Sequence, residues 1–155
     1  MSTHRIGLIS DTHGLLRPEV TDALADVEHI IHAGDVGDPK ILNTLESIAP
    51  VTAVRGNVDF GPVLSDLPIT NAIQIGDVSI YVTHIIDSLD IDPKAGGFHA
   101  VIFGHTHRPE VRKIDGISYI NPGSIGPRRF NLPIEMAYLH IDGTHLNVEP
   151  ITFDL

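Results

Sequence analysis

Ten histidines stand in this chain of 155 residues, and it has no cysteine. The missing thiols exclude disulfides, thiolate zinc sites and a cysteine nucleophile together, so any metal must be held by nitrogen and oxygen. Seven residues of the right type occur at comparable places: Asp11 and His13, Asp35, Asn57, His84, and His105 and His107. In extended backbone residues i and i+2 point the same way, so Asp11 with His13, and His105 with His107, can each present two donors to one side. Glycine precedes Asp35, Asn57 and His105, which permits sharp turns and close approach of the backbone. Taken singly, each motif is ordinary: Asp-x-His at a strand end is commonly a turn or a helix cap, Gly-Asp a turn, and an isolated histidine a satisfied side chain. Seven mixed donors in order are more than one ion takes, whereas two divalent ions sharing a carboxylate, about 3.5–4 Å apart, would use them all. Imidazole with carboxylate suits a borderline divalent transition metal.

Such donors need elements to carry them to one place. Arg5 to Ser10 is an apolar run of buried-strand type, and Pro18 to Asp26 has helical spacing with proline at a first-turn position. His29 to Ala33 reads as a second strand. Pro39 to Ile48 reads as a helix with Ile41, Leu42, Leu45 and Ile48 on one face, and Val51 to Arg55 as a third strand. Beyond these, Gly76-Asp77, Asp115-Gly116 and Asp142-Gly143-Thr144 each divide two strand-like runs: 72–75 from 78–83, 111–114 from 117–120, and 136–141 from 145–151. Ala100 to Phe103 is one more buried strand. A βαβαβ start followed by three hairpins predicts a mixed α/β architecture, two packed sheets with helices outside. Each donor then follows a strand, at the carboxyl ends where α/β sheets bind ligands.

Composition sets the outer limits. The chain is the length of one domain, 42% apolar and 19% charged, with no apolar run near the roughly 20 residues of a membrane span. The N-terminus leads directly into a strand pattern without a signal-peptide profile, so a cytoplasmic location is expected. The formal charge of −10 argues against binding long nucleic acids. It does not oppose a small phosphorylated substrate, because two divalent cations would reverse the local sign.

The ordered series Asp11-x-His13, Gly34-Asp35, Gly56-Asn57, His84 and Gly104-His105-x-His107 resembles the calcineurin-like metallophosphoesterase superfamily, over residues 5 to about 125. The small size and Asn121-Pro122-Gly123-Ser124 resemble its compact prokaryotic phosphodiesterase branch. The resemblance implies an α/β four-layer fold, two mixed β-sheets sandwiched between α-helices, in one domain over 1–155. It implies that Asp11, His13, Asp35 and His107 hold one metal and that Asp35, Asn57, His84 and His105 hold the other, with Asp35 bridging. Manganese is the family's commonest working metal, and iron, zinc, nickel or cobalt substitute for it.

The activity expected is hydrolysis of a phosphodiester by a metal-activated hydroxide attacking phosphorus in line. Asn57 would steady the non-bridging oxygens, and Arg55 would be a further phosphate contact through its forked donors. His32 is a candidate support for Asp35, and Arg128 and Arg129 are candidates for the pocket edge or a subunit contact. The expected partner is a small phosphate ester, with a homo-oligomer implied by self-association in the compact branch. Alternatives are a phosphomonoesterase, a nuclease of the same metal chemistry acting on a small nucleotide diester, and a non-catalytic scaffold of the same fold, as in the retromer subunit. Two departures from the family's pattern stand out. Val58 follows Asn57 where many members have a histidine able to protonate the leaving group, and Ile85 follows His84 where glycine is common. The segment after His84 is also short, with Pro93 and Gly96-Gly97 interrupting any helix over 87–98, which predicts a different rim.

Overall fold

The computed structural model describes residues 3–155. The first half is β1 (Thr3–Ile9), α1 (Pro18–Ala23), β2 (His29–His32), α2 (Pro39–Glu46) and β3 (Val51–Ala53). The second half comprises β4 (Thr70–Ile75), β5 (Val78–Thr83), β6 (Ala100–Ile102), β7 (Glu110–Ile114), β8 (Ile117–Asn121), β9 (Ile134–Asp142) and β10 (His145–Phe153). These strands form two five-stranded sheets in the orders β10-β9-β1-β2-β3 and β4-β5-β6-β8-β7. Both are mixed. The first runs parallel from β1 through β2 to β3 and antiparallel from β1 through β9 to β10. The second is parallel across β5-β6-β8, with β4 and β7 antiparallel at its edges. The expected pair of mixed sheets flanked by helices is the fold observed.

Alternation along the strands explains the layers. Ile6 and Leu8 of β1 meet Ile80, Val82, Ile102 and Ile120 of the facing sheet, and these side chains form the dry layer between the sheets. Ile9, Ile30 and Tyr138 lie instead in a second cluster with Val20 and Leu24 of the α1 segment and Ile41, Leu42 and Leu45 of α2. Pro39 opens α2 and the Asp38 carboxylate caps it by accepting from the Lys40 amide. α1 stops at Ala23 rather than Asp26: the chain turns, buries Val27 and bonds the Glu28 amide to the Arg5 carbonyl to start β2. The outer face of the second sheet is covered by a thinner layer. There a 3-10 turn at Ile86–Ser88, with Leu89, Ile91 and Phe98, packs on Tyr81, Val101 and Ile117. Prolines and glycines in that segment are why no α-helix forms. β3 ends at Ala53 instead of Arg55, because the Arg55 amide bonds the Pro68 carbonyl outside the sheet.

The parallel strands β1, β2 and β3, and likewise β5 and β6, all discharge their loops at one end of the sandwich. Among the described residues no helix is long and apolar enough to cross a membrane.

The layer between the sheets fixes how those loops face each other. Leu8 is fully buried in it, so Leu8→Ala is expected to lower unfolding free energy by about 2–5 kcal/mol. Urea denaturation followed by circular dichroism checks this, with an unchanged slope and a shifted midpoint.

Candidate metal centre

The loops leaving β1 and β2 stay zipped together after the strands end. The Asp11 amide donates to the Gly34 carbonyl, His13 to Asp35 and Gly14 to Val36, at 2.9–3.0 Å. Across the sandwich the Gly104 amide donates to the His84 carbonyl at 3.0 Å. This backbone lattice leaves five donors, Asp11, His13, Asp35, His105 and His107, with left-handed φ between 46° and 74°. Aspartate and histidine tolerate that region better than most residues, but at a cost that the surrounding bonds must hold in place. Glycine serves here through missing bulk. A Cβ on Gly56 would lie 2.0 Å from the Asp35 carboxylate, and one on Gly104 would lie 2.1 Å from the Ser10 hydroxyl.

All seven sequence-predicted donors converge. Asp11, His13 and His107 bring ligand atoms together in one group, and Asp35, His84 and His105 in another, each group of a size that could hold a metal ion. Asn57 joins the second group, its Oδ1 lying 3.0 Å from His84 Nε2 and 3.1 Å from His105 Nδ1. The Asp35 Oδ2 atom stands between the groups, 3.1 Å from His84 Nε2 and 3.5 Å from His13 Nε2. Asp11 Oδ1 is buried with no hydrogen-bond partner among the described residues. It is 3.5 Å from His107 Nε2, 3.6 Å from His13 Nε2 and 3.9 Å from His84 Nε2. A buried carboxylate oxygen left unpaired among imidazole nitrogens would be costly in a protein that bound nothing there. The donor set therefore fits divalent cations.

Protonation follows from the surroundings. Burial alone would raise the Asp35 carboxyl, but the hydrogen bond and charge of His84, the Val58 amide and His13 outweigh it and bring its pKa down to about 2. Burial would likewise discharge His84. The hydrogen bond to Asp35, the Asp11 and Asp35 charges and the Ala33 carbonyl prevail and raise its pKa. His84 Nδ1 is committed to that carbonyl at 2.7 Å, so Nε2 is the nitrogen offered to the site. The His107 pKa is lowered, chiefly by burial and further by Arg129 and His13, against the pull of Asp11 and Asp35. Arg129 therefore acts electrostatically on the site, whereas Arg128 bonds the Leu155 carbonyl at the surface.

The supports around the donors were only partly foreseeable. His32 lies beneath the loops. Its Nδ1 accepts from the Gly34 amide at 3.1 Å, which leaves Nε2 to donate to the Thr12 hydroxyl at 3.0 Å, and Thr12 donates in turn to the Val36 carbonyl at 2.7 Å. Full burial brings its pKa down to about 4, so it is neutral in this role. Asp59 accepts from the amides of Val36, Gly37 and Gly56 at 2.8–3.2 Å, tying the β2 loop to the β3 loop. The sequence did not single out Ser10 or Arg17, and it marked Asn121 and Ser124 only as part of a motif, without a role at the site. Ser10 donates to Asp11 Oδ2 at 2.7 Å, Asn121 donates to the Gly104 carbonyl, Ser124 donates to the Asp11 carbonyl, and Arg17 donates to the Ile125 and Gly126 carbonyls. The signals available were position, since Ser10 abuts the first donor, and the motif Asn121-Pro122-Gly123-Ser124, which straddles the end of β8. Of the remaining histidines, His4 bonds Glu28, His29 bonds Thr52, His99 accepts from the Ser79 amide and His140 bonds Glu149.

Comparison with known proteins agrees with this geometry. The profile of the calcineurin-like phosphoesterase superfamily domain matches residues 5–144. A probable metallophosphoesterase of Methanothermobacter thermautotrophicus is 37% identical over 164 residues, covering 94% of this chain and 91% of its own. Among solved structures, that of an archaeal phosphodiesterase superposes with a TM-score of 0.79 at 26% identity, over 96% of this chain and 99% of its own. Vacuolar protein sorting 29 of Cryptosporidium parvum superposes at 0.78 with 20% identity, over 97% and 98% of the two chains, which speaks to the fold alone.

Metal and proton compete for His84. Its raised pKa means that the metal-free protein gains stability from the charged imidazole below about pH 6.5, and this contribution is lost as pH rises through the folded pKa. A cation taken up by Nε2 would have to expel that proton. Affinity for a divalent cation there is thus expected to weaken, by about tenfold per pH unit for this one proton, as pH falls below the His84 pKa. Calorimetry in buffers of different ionisation enthalpy checks this: close to one proton released per protein in that range, and a smaller number in His84→Asn.

Proposed function

The chain belongs to the calcineurin-like phosphoesterase superfamily, and from that premise we propose that it is a dinuclear-metal phosphodiesterase acting on a small phosphate diester. The observation that carries the reading is the pair of donor groups on either side of the Asp35 carboxylate, with the unpaired Asp11 Oδ1 among three imidazole nitrogens. Asp11, His13, Asp35 and His107 would hold one ion and Asp35, Asn57, His84 and His105 the other, with Asp35 shared; manganese is the metal proposed. Divalent cations supply a nucleophile from water near neutral pH and offset the charge gathered on phosphoryl oxygens.

The chain's own side chains do the orienting. The Asn57 carbonyl oxygen is engaged by His84 and His105, which leaves its amide NH2 as the donor available to a phosphate oxygen. Arg55 spends one guanidinium nitrogen on the Ser65 carbonyl at 3.3 Å and lines the same cleft as Asn57 and His84, where it is a second contact for the phosphate. Val58 contributes its backbone: its amide donates to Asp35 Oδ1 at 3.1 Å while the side chain stands 40% exposed. No proton donor stands there for a departing alkoxide, which favours esters with good leaving groups. The scaffold alternative gains nothing from the donor set, in which all seven residues are present.

Protein stripped with chelator and reloaded with single metals tests the reading. Hydrolysis of bis(p-nitrophenyl) phosphate is expected to return with manganese and to exceed that of p-nitrophenyl phosphate. Because losing a mere support of a ligand costs about 10–100-fold, Asp35→Asn and His105→Ala are expected to lose at least that. Folded protein that binds no metal and cleaves neither substrate would overturn the proposal and favour the scaffold. A second expectation concerns Val58. Val58→His should raise turnover of alkyl esters, by up to about 10²-fold, with little change for aryl esters; equal gains for both would refute the leaving-group argument.

A further inference from the structure

Beside the second donor group lies a cavity of about 180 Å³, lined by Arg55, Asn57, Ile69, His84, Ile85 and Ser88, with Gly56 and Thr83 completing it. It touches Asn57 and His84 but none of Asp11, His13 or His107, so it flanks the donors on one side rather than covering them. Its apolar walls come from Ile85, half-buried, and from Ile69, which keeps 62% of its surface exposed. Its polar side carries Arg55, whose flat guanidinium can stack on a ring as well as pair with an anion. Pockets that enclose a drug-sized molecule measure roughly 300–1,000 Å³. This one is smaller, and takes one arm of a substrate.

The geometry of the reaction says which arm. In an in-line displacement the entering and departing oxygens lie on one axis, and the other three oxygens spread across it. With water entering from the floor between the donor groups, the departing alcohol points out of the cleft. The ester group that stays on phosphorus runs sideways along the floor. A cavity that adjoins one donor group from the side, rather than lying over both, is in the path of that retained group. Val58, on the other side of Asn57 in sequence, does not line it.

We propose that this cavity is the subsite for the retained ester arm, and that it selects diesters in which that arm is a compact, largely apolar ring. The inference rests on the phosphodiesterase reading and adds a substrate class to it. A water oxygen bonds to phosphorus, the phosphorus–oxygen bond to the outward alcohol breaks, the water's proton passes to solvent or to that alcohol, and the product released is the aryl monoester. A monoester substrate leaves the cavity empty, and a dialkyl ester fills it poorly.

Ile69 allows a clean test because it is exposed, and Ile69→Asn should leave the melting temperature close to that of the parent. Binding is read by calorimetry on the manganese-loaded protein with phenylphosphonate and methylphosphonate, whose phosphorus–carbon bonds are not hydrolysed. Phenylphosphonate is expected to bind on the order of tenfold more tightly, and Ile69→Asn, which removes the apolar wall without adding charge, to abolish that difference while methylphosphonate is unaffected. Kinetics give a second arm. Bis(p-nitrophenyl) phosphate and methyl p-nitrophenyl phosphate share a leaving group, so the variant should depress kcat/KM for the first only. Equal binding of the two phosphonates in the parent protein would overturn the subsite and leave the phosphodiesterase reading intact. Equal loss on both diesters would move the cavity to the leaving-group side and overturn the retained-arm assignment. Absence of both phosphonate binding and diester turnover with every metal would remove the phosphodiesterase reading, and the subsite with it.

Discussion

Asp11 is fully buried, Asp35 is 2% exposed, and both carboxylates approach the same nitrogen of His84, at 3.9 and 3.1 Å. Two like charges taken out of water at one spot are tolerable only when positive charge and oriented donors surround them. Four imidazoles and the amides of Val58 and His105 supply part of that compensation, and divalent cations would supply the remainder. Much of the local architecture follows from this constraint. The loops must approach closely enough for backbone amides to reach carboxylates, which is why bulk is missing at positions 56 and 104. They must also be held there, which is the work of His32, Asp59, Asn121 and Ser124.

The two sheets divide the task. The first contributes Asp11, His13, Asp35 and Asn57 from the loops after β1, β2 and β3, and the second contributes His84, His105 and His107 from those after β5 and β6. Neither sheet completes a donor group alone, since His107 joins Asp11 and His13 while Asp35 joins His84 and His105. The apolar layer between the sheets is thus as much a part of the centre as its ligands, because sliding one sheet over the other would pull both groups apart. Ser124 ties them once more, bonding the Asp11 carbonyl from the chain segment that leaves the second sheet for the first.

Which of this could be seen in the sequence depended on distance along the chain. The donors were visible because each follows a strand, and because strand alternation and turn glycines are local patterns. The hairpins at 76–77 and 115–116 were visible for the same reason. The end of α1 was not, since it is set by Val27 packing under the sheet and by Glu28 bonding back to Arg5. The partners of His4, His29 and His140 lie on neighbouring strands or loops 24, 23 and 9 residues away, and register between strands is not written in either one alone. Arg17 was hidden likewise, because the carbonyls it holds are more than a hundred residues distant. Val58 carried a misleading signal: its side chain marks a departure from the family pattern, while its contribution to the site is an amide that any residue but proline would provide.

Five of the seven donors sit in left-handed backbone, and that has a meaning for how such a protein can change over time. Each such residue costs about 1–3 kcal/mol that a glycine would not, so the protein is held below the stability its own fold permits. Mutational drift at these positions therefore runs toward a more robust molecule with no chemistry. Selection for what these side chains do, rather than for stability, is what keeps the donors where they are. A lineage released from it keeps the scaffold, loses the strain, and is free to turn the same loops to other uses.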